Sequence, residues 1–392
     1  MSKTFLELKL CPYCLGSLVG ANLPWIPNYI KGKTLYQALG GAESCELCEG
    51  LIPSHFDNLI EKSLKLLEDL EFDTVKAGVV LPHWLIERED RIRAKYDPPY
   101  MVSVKLTLIK WADLLLSSRT GRKVSNDPDV EVLLDFQTKS VGLRLKPVFI
   151  YGRYRKLKRG ISQSRSTCPY CGGRGCERCN WTGKIPEGSV EGIVGEVMRE
   201  FFRAEDYVLH ASGREDVDAR MLGNGRPFIM EVKGPKVRKV DLRELEEEIN
   251  RRASGEVEVL NLRYAERSEV RKIKEMSDKI RKRYRALVEV EGEVTPEDLE
   301  RLEEFFRDRV IDQRTPRRVL WRRADIVRRK KVYWLRAKAV DKNHFELEVE
   351  CDGGLYVKEL ISGDEGRTTP SVSEVLGRKS FCKELDVLEV VD

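Results

Sequence analysis

Hydrophobic positions recur along the chain with two different spacings, which predicts that it contains both helices and strands. Between residues 55 and 70, Phe56, Leu59 and Ile60 begin a series in which apolar residues return every three or four positions, the pattern of an amphipathic helix. Shorter apolar segments predict strands at Val75–Leu81, Tyr100–Leu108, Val130–Phe136 and Leu143–Tyr151. Together these elements predict a small α/β domain.

From about residue 185 the predicted elements belong to a second, larger domain. The segments Tyr284–Val290, Val332–Val340 and Phe345–Val349 have the composition of strands. Thr295 before Pro296 is typical of a helix start, because threonine caps free amide groups and proline fits the first helical turn. Strands and helices do not alternate regularly here, which favours a mixed sheet over a doubly wound parallel sheet.

Composition limits the class of protein. The chain has 392 residues, of which 41% are hydrophobic and 34% are charged, as is typical of globular proteins with two or three domains. No run of about 18 apolar residues occurs, and the N-terminus lacks the core of a signal peptide. We therefore expect a cytoplasmic protein without a membrane segment.

Positive charge is concentrated in two segments. Arg314–Lys338 contains eleven Lys or Arg and one acid, Asp325, with Trp321 and Trp334 among them. Ile150–Ser166 contains six basic residues and no acid. Basic segments with aromatic residues suit phosphate contacts and base stacking, which favours RNA as a partner. The alternative is that each segment is an ordinary solvated face.

Eight of the ten cysteines form C-x2-C pairs. Two such pairs supply four thiolates, the ligand set of a closed tetrahedral zinc site. Such a site has no open position for water, so we expect structural zinc and no metal chemistry. The two predicted sites are Cys11, Cys14, Cys45 and Cys48, and then Cys168, Cys171, Cys176 and Cys179.

The segment from residue 212 to 228 is the strongest candidate for a catalytic site. It holds opposite charges close together between glycines, and it fits neither a half-buried strand nor an amphipathic helix. A solvated polar loop is the alternative interpretation. Gly223 and Gly225 are interpreted as turn residues, because neither a dinucleotide-binding nor a phosphate-binding glycine motif is present. We therefore expect no nucleotide cofactor.

Three motifs in this chain resemble those of one enzyme family. Gly213-Arg214-Glu215-Asp216 resembles the Gly-Arg-x-Asp signature of tRNA pseudouridine synthases, and the string through Phe228 resembles the archaeal-type enzyme that modifies two adjacent T-loop uridines. The segments 282–288 and 353–361 are similar to the family's tyrosine strand and to its third motif. Residues 50–165 resemble the THUMP-containing RNA-binding region of these enzymes.

The resemblance implies a role for particular residues. Asp216 would be the catalytic carboxylate, as nucleophile or base, and Lys358 would be its cationic partner, where many relatives carry arginine. Tyr284 would stack on the flipped uracil, Tyr356 would line the pocket, and Arg214 would contact RNA phosphates. The reaction needs no catalytic cofactor, so zinc would be structural only.

The combined expectation is an α+β enzyme with a mixed, mainly antiparallel catalytic sheet of pseudouridine synthase type. The predicted domains are a zinc-knuckle module (1–50), a THUMP-like α/β RNA-binding domain (51–165) and a catalytic domain (166–392) that opens with the second cysteine cluster. The expected activity is isomerisation of uridines 54 and 55 in the tRNA T-loop by a monomer.

Three alternatives stay open at the level of sequence. Asp218 competes with Asp216 for the catalytic role, because both carboxylates lie in the same segment. Asp216 followed by Glu231 and Lys233 resembles the D…E-x-K arrangement of a magnesium-dependent nuclease. A non-catalytic, zinc-containing RNA-binding protein would also use the cysteine clusters and the basic segments.

Overall fold

The computed structural model describes residues 7–276, 280–321 and 323–391. The chain divides into two compact units: Met1–Lys146 with Gly234–Arg238, and Pro147–Lys233 with Lys239–Asp392. Among the described helices, none combines the length and the apolar composition needed to cross a bilayer.

The first unit contains a four-stranded sheet with the order β2-β1-β3-β4, in which β1 runs parallel to β2 and β3, and β3 runs antiparallel to β4. Helices and strands share one buried hydrophobic cluster. The helices are α1 (Pro12–Leu18), α2 (Asn28–Ala38), α3 (Leu51–Leu67), α4 (His83–Tyr96) and α5 (Val104–Thr120), and the strands are β1 (Thr74–Val80), β2 (Lys123–Val124), β3 (Val130–Asp135) and β4 (Ser140–Leu145).

The strand predicted at Tyr100–Leu108 is wrong, because this segment leads into α5. The hydroxyl of Ser103 accepts a hydrogen bond from the Leu106 amide and caps the helix. Val104 and Leu108 then begin a buried stripe that continues at helical spacing through the next two turns. A window of nine residues was too short to distinguish this stripe from a buried strand.

The second unit is built on a ten-stranded sheet with the order β10-β5-β9-β16-β11-β14-β13-β12-β15, and β8 pairs with β9. The large strands are β5 (Val148–Lys156), β8 (Asp206–Ala211), β9 (Ala219–Lys233), β10 (Val257–Ala265), β11 (Arg281–Val290), β12 (Arg309–Arg314), β13 (Val327–Ala339), β14 (His344–Asp352) and β16 (Ser380–Val391). The short strands are β6 (Ser166–Thr167), β7 (Lys184–Ile185) and β15 (Thr368–Thr369), and the helices are α6 (Val190–Phe201), α7 (Leu242–Arg252), α8 (Arg267–Met276), α9 (Pro296–Phe305), α10 (Val357–Ser362) and α11 (Val372–Leu376).

This sheet confirms the predicted fold class. Its strand pairs are antiparallel except for β9 with β16, which are parallel. The predicted helix start is also confirmed, because the Thr295 hydroxyl accepts a hydrogen bond from the Asp298 amide at the beginning of α9. Two hydrophobic clusters stabilise the sheet, and Tyr284 packs against both of them.

The compact units divide near residue 147, whereas the sequence analysis placed a domain boundary at 165. The strand predicted at Leu143–Tyr151 is in fact β4 and β5, separated at Pro147. β5 pairs with β9 and β10 in the large sheet, so it belongs to the second unit. The identification of residues 51–165 as a THUMP-like domain stays a prediction.

Gly223 and Gly225 bend a strand and do not form a turn. Both have left-handed backbone angles, with φ of 57° and 75°. A Cβ on Gly223 would lie 1.8 Å from the carbonyl oxygen of Leu388, so only glycine allows this approach. The bend lets β9 pair with β16 before residue 223 and with β5 and β8 after it.

Candidate active site

Asp216 lies in an irregular segment between β8, which ends at Ala211, and β9, which begins at Ala219. Its carbonyl accepts a hydrogen bond from the amide of Ala219 at 3.1 Å, which holds the segment against the start of the strand. The carboxylate is partly exposed. It is therefore both fixed by the fold and accessible to a ligand.

Two cations face the Asp216 carboxylate. Arg318 donates from Nη1 to Oδ1 at 2.9 Å, and Lys358 Nζ lies 3.6 Å from Oδ2. Lys358 makes its shorter contacts, 2.7 and 2.8 Å, with the two carboxylate oxygens of Asp218. The resemblance implies that Lys358 pairs with Asp216, and the structure reproduces this only in part. Lys358 makes its shorter contacts with Asp218, and Arg318 makes the direct hydrogen bond to Asp216.

Arg318 is the main residue that sequence reasoning missed. It lies in the short 3₁₀ turn Arg317–Val319, inside the basic run that the sequence analysis assigned to RNA contacts as a whole. The guanidinium also donates from Nε to Oε1 of Glu359 at 2.6 Å. The planar guanidinium presents several N–H donors in a fixed geometry, and here they reach two carboxylates at once. Arg318 therefore links α10 to the Asp216 segment.

The surroundings favour the charged forms of Arg318 and Asp218 but not that of Glu359. Burial opposes the charge of Arg318, but the hydrogen bond to Glu359 and the charges of Glu359 and Asp216 outweigh it and raise the guanidinium pKa. Burial raises the pKa of Glu359, although Arg318 counteracts it. Burial also opposes ionisation of Asp218, but the hydrogen bond from Lys358 prevails and lowers the pKa of this carboxyl.

Tyr284 lies on β11, the strand between β14 and β16. Burial, and then the neighbouring Cys351 thiol, raise the pKa of its phenol, and the charge of Asp216 contributes to the same shift. The phenol therefore stays neutral near Asp216. A neutral aromatic ring is able to stack on a base.

Tyr356 is placed by the start of α10, as its N-cap residue. Its amide donates to Oε1 of buried Gln313 at 2.8 Å, and its carbonyl accepts from Nε2 of Gln313 at 3.0 Å. The Arg318 guanidinium lies 5.8 Å from the centre of the Tyr356 ring. The residue thus borders the Arg318 cluster.

Arg214 lies two residues before Asp216 and is exposed. No carboxylate in the described part of the chain forms an ion pair with it, so its guanidinium is free to contact an anion.

The two basic segments differ in how far their cations are exposed at the surface. In Ile150–Ser166, the side chains of Arg153, Lys156 and Arg165 are buried. The three other cations of that segment pair with acids on neighbouring strands and loops. Half of the cations in this segment are therefore buried and the other half form ion pairs, and a basic RNA-binding face here stays a prediction.

The segment Arg314–Lys338 does present cations at the surface. Trp321 is 81% exposed, and Arg323 beyond it is exposed. Arg322 lies outside the described residues. The same segment includes Arg318, which binds Asp216. Its exposed cation and aromatic ring therefore come shortly after Arg318 in the sequence.

Each cysteine cluster has the geometry of a metal site. In both clusters the four sulfur atoms lie within 4.8 Å of one another. The Sγ atoms of Cys11 and Cys48 are 3.7 Å apart, and those of Cys176 and Cys179 are also 3.7 Å apart. Tetrahedral zinc with bonds of about 2.3 Å requires sulfur separations of about 3.8 Å. The residues present therefore fit zinc, the first set in the first unit and the second set between β6 and β7.

The D…E-x-K alternative depends on Glu231 as a metal ligand. Glu231 lies on β9, where its carboxylate accepts a hydrogen bond from Nε2 of His210 at 2.9 Å. Among the described residues, the groups able to hold a metal ion are the two cysteine clusters, and neither includes Asp216 or Glu231. In the described part of the chain, no set of three or more such ligands therefore includes the acids of the D…E-x-K arrangement.

The mixed sheet, the Gly-Arg-x-Asp segment beside it and the tyrosine of β11 define a pseudouridine synthase. A family model described as Pus10, C-terminal, matches residues 149–391. The tRNA pseudouridine synthase Pus10 of Korarchaeum cryptofilum is 62% identical over 347 residues, which cover 88% of this chain and 93% of that protein. The chain belongs to the Pus10 family of tRNA pseudouridine synthases.

Other similarities are more distant. The tRNA pseudouridine synthase Pus10 of Methanocaldococcus jannaschii is 44% identical over 351 residues, or 89% of this chain and 76% of that protein. A Cbf5-Nop10-Gar1 complex is 16% identical with a TM-score of 0.31, covering 60% of this chain and 58% of that one. Family membership makes the chain an enzyme and replaces both the nuclease and the non-catalytic interpretation.

Proposed function

We propose that this synthase converts uridines 54 and 55 of the tRNA T-loop to pseudouridine, with Asp216 as its catalytic carboxylate. The observation that carries this proposal is the position of Asp216: a partly exposed carboxylate in a rigidly held segment, bound by Arg318 at 2.9 Å and approached by Lys358. Asp218 is more exposed and is paired with Lys358.

The reaction is an isomerisation. The bond between N1 of uracil and C1′ of ribose breaks, a bond between C5 and C1′ forms, C5 loses a proton, and N1 gains one. A carboxylate can act as nucleophile or as base only when it is ionised. Arg318 and Lys358 face the Asp216 carboxylate at 2.9 and 3.6 Å and hold it in place.

The surrounding residues suit recognition of a flipped base. A uridine in a folded loop must swing out of its stack before a carboxylate can reach its sugar. Tyr284 supplies an aromatic ring on β11, and Tyr356 borders the Arg318 cluster. Arg214 and the exposed cations after Arg318 would contact phosphates, and Trp321 would stack on an unpaired base.

We also propose that each cysteine cluster holds one structural zinc ion. The ligands would be Cys11, Cys14, Cys45 and Cys48 at the first site, and Cys168, Cys171, Cys176 and Cys179 at the second. Four thiolates close the coordination sphere, so zinc would stabilise the local fold and take no part in the isomerisation. Residues 1–50 would then be a zinc-knuckle module, and 51–165 a THUMP-like domain that binds tRNA.

The decisive experiment is to map pseudouridine in an unmodified tRNA transcript after treatment with wild type, Asp216→Asn and Asp218→Asn. We expect wild type to modify positions 54 and 55 and Asp216→Asn to modify neither. Activity retained by Asp216→Asn but lost in Asp218→Asn would transfer the catalytic role to Asp218. Modification at other uridines would overturn the T-loop assignment.

A further inference from the structure

The segment that carries Asp216 has no regular secondary structure, and buried side chains hold its backbone instead. The carbonyl of Ser212 accepts from Nη1 of Arg226 at 2.6 Å. The carbonyl of Asp216 itself accepts from Nζ of Lys156 at 2.9 Å, and that of Val217 from the same ammonium at 3.3 Å. The backbone is therefore fixed before and after the proposed catalytic residue.

A buried carboxylate, Glu215, connects these two anchors. Its Oε2 accepts from Nε of Arg226 at 2.8 Å, and Nζ of Lys156 lies 3.8 Å from its Oε1. The hydroxyl of Tyr154 lies 2.9 and 3.0 Å from the two carboxylate oxygens. The amide of Gln163 donates both to that hydroxyl at 2.8 Å and to the carbonyl of Gly213 at 2.9 Å.

None of these charges is available to RNA. The side chains of Glu215 and Arg226 are each 1% exposed, and that of Lys156 is fully buried. Burying two cations and a carboxylate is unfavourable unless each is paired and hydrogen-bonded, and apolar residues of similar size often stabilise a fold as well or better. Stability alone therefore does not account for a charged cluster under this one segment.

We propose that Lys156, Glu215 and Arg226 are positioning residues that fix the backbone on both sides of Asp216. The proposal rests on the catalytic role proposed for Asp216. Lys156 is the most direct of the three, because its ammonium bonds the carbonyl of Asp216. A misplacement of about 1 Å at a reacting group can slow a reaction about 100-fold. Loss of these contacts slows the chemical step on bound tRNA and leaves tRNA affinity unchanged.

The test compares Lys156→Met with wild type in the full-length protein. Single-turnover pseudouridine formation is measured with enzyme in saturating excess over unmodified tRNA transcript, and tRNA affinity is measured separately by filter binding. We expect the rate to fall about 100-fold and the Kd to stay within about threefold, a change too small to matter on the affinity scale. Lys342→Met is the matched control, because Lys342 is 81% exposed in a surface ion pair with Glu293; it should leave both quantities unchanged.

A second comparison separates positioning from a purely structural role. Glu215→Gln alone leaves buried Arg226 without its charge partner and should lower Tm, whereas Glu215→Gln with Arg226→Met removes both charges and should restore most of it. If the cluster positions Asp216, the double variant recovers Tm but not the single-turnover rate. Recovery of both would show that the cluster only stabilises the fold, and would overturn the proposal.

The outcomes also separate this proposal from the proposed function. If Asp216→Asn is active, the catalytic assignment fails. If Asp216→Asn is inactive while folded Lys156→Met reacts at the wild-type rate, the positioning proposal fails alone.

Should Lys156→Met not fold, Tyr154→Phe removes one hydroxyl from the cluster without changing charge. A rate about tenfold below wild type would then support the proposal, because one lost hydrogen bond corresponds to about that factor, and an unchanged rate would overturn it.

Discussion

Arg318 and Asp216 are joined by a direct bond of 2.9 Å between Nη1 and Oδ1, although 102 positions separate them in sequence. The same guanidinium is held from its other side by the buried carboxylate of Glu359. Because Glu359 fixes its orientation, Arg318 keeps one donor directed at Asp216. Arg318, the cation in direct contact with the proposed catalytic carboxylate, therefore comes from a loop. Lys358 of the third motif mainly binds Asp218.

Removing Arg318 should slow catalysis more than removing Lys358 does. Arg318→Met takes away the direct hydrogen bond to Asp216, and a hydrogen bond to a charged group contributes about 1.5–3 kcal/mol. We expect single-turnover rates to fall about 30-fold or more, with Arg318→Lys intermediate because an ammonium is a single point of contact and does not reproduce the planar fork. A larger loss in Lys358→Met would instead make the lysine the principal partner.

Tyr284 should act through its ring and not through its hydroxyl. Stacking on one base contributes about 1–3 kcal/mol, so Tyr284→Ala should lower the single-turnover rate on tRNA by roughly 5- to 150-fold. Tyr284→Phe keeps the ring, so its single-turnover rate should stay within about threefold of wild type. That change is smaller than the loss of one hydrogen bond would cause. Circular dichroism of both variants checks that β11 is intact. Equal losses in the two variants would assign the function to the hydroxyl.

Asp386 on β16 should give the protein a pH-dependent stability. Its carboxylate binds Arg220 with two bonds of 2.9 and 2.7 Å and lies 2.8 Å from Arg159. Burial opposes ionisation, but the hydrogen bond from Arg220 and the charges of its neighbours lower the pKa of Asp386. Asp386→Asn should therefore reduce the free energy of unfolding by about 2 kcal/mol at pH 7, less than for a fully buried pair.

The sign of the pH effect follows from that lowered pKa. The stabilisation is complete above the unfolded-state pKa of about 3.9 and is lost as pH falls through the lower folded-state value. The difference in unfolding free energy between wild type and Asp386→Asn should thus be constant from pH 6 to 8 and shrink on acidification below about pH 4. Urea denaturation at several pH values measures it. A difference that grew on acidification would contradict this account.

Metal analysis should find two zinc ions per chain. Cys176→Ser with Cys179→Ser should remove one of them, and Cys382→Ser, outside both clusters, should remove none. Strong chelators should lower Tm, because zinc binding contributes to folding in such modules, while wild type that retains its zinc should isomerise uridine without added divalent ions. A single zinc in the wild type would leave one cluster as free thiols.

Local patterns predicted the parts of this protein that depend on neighbouring residues in sequence. The helix start at Thr295, the strand around Tyr284 and the paired cysteines follow from capping, alternation and ligand spacing, and the structure contains all three. The strand predicted at Tyr100–Leu108 failed because a few apolar residues fit either period, and the length of the buried stripe, visible only in α5, distinguishes them.

The sequence by itself determined the family, because Gly-Arg-x-Asp and its companion motifs are short strings of consecutive residues that can be recognised without knowing their tertiary contacts. Only the tertiary structure decided what each charge does. Lys156 and Arg323 are both cations in basic segments of the sequence. Lys156 is buried and bonds the carbonyl of Asp216, whereas Arg323 is exposed to solvent. The physical reason is that a hydrogen bond forms only at close contact, and the folded chain brings Arg318 and Lys156 from distant positions to within 2.9 Å of atoms of Asp216.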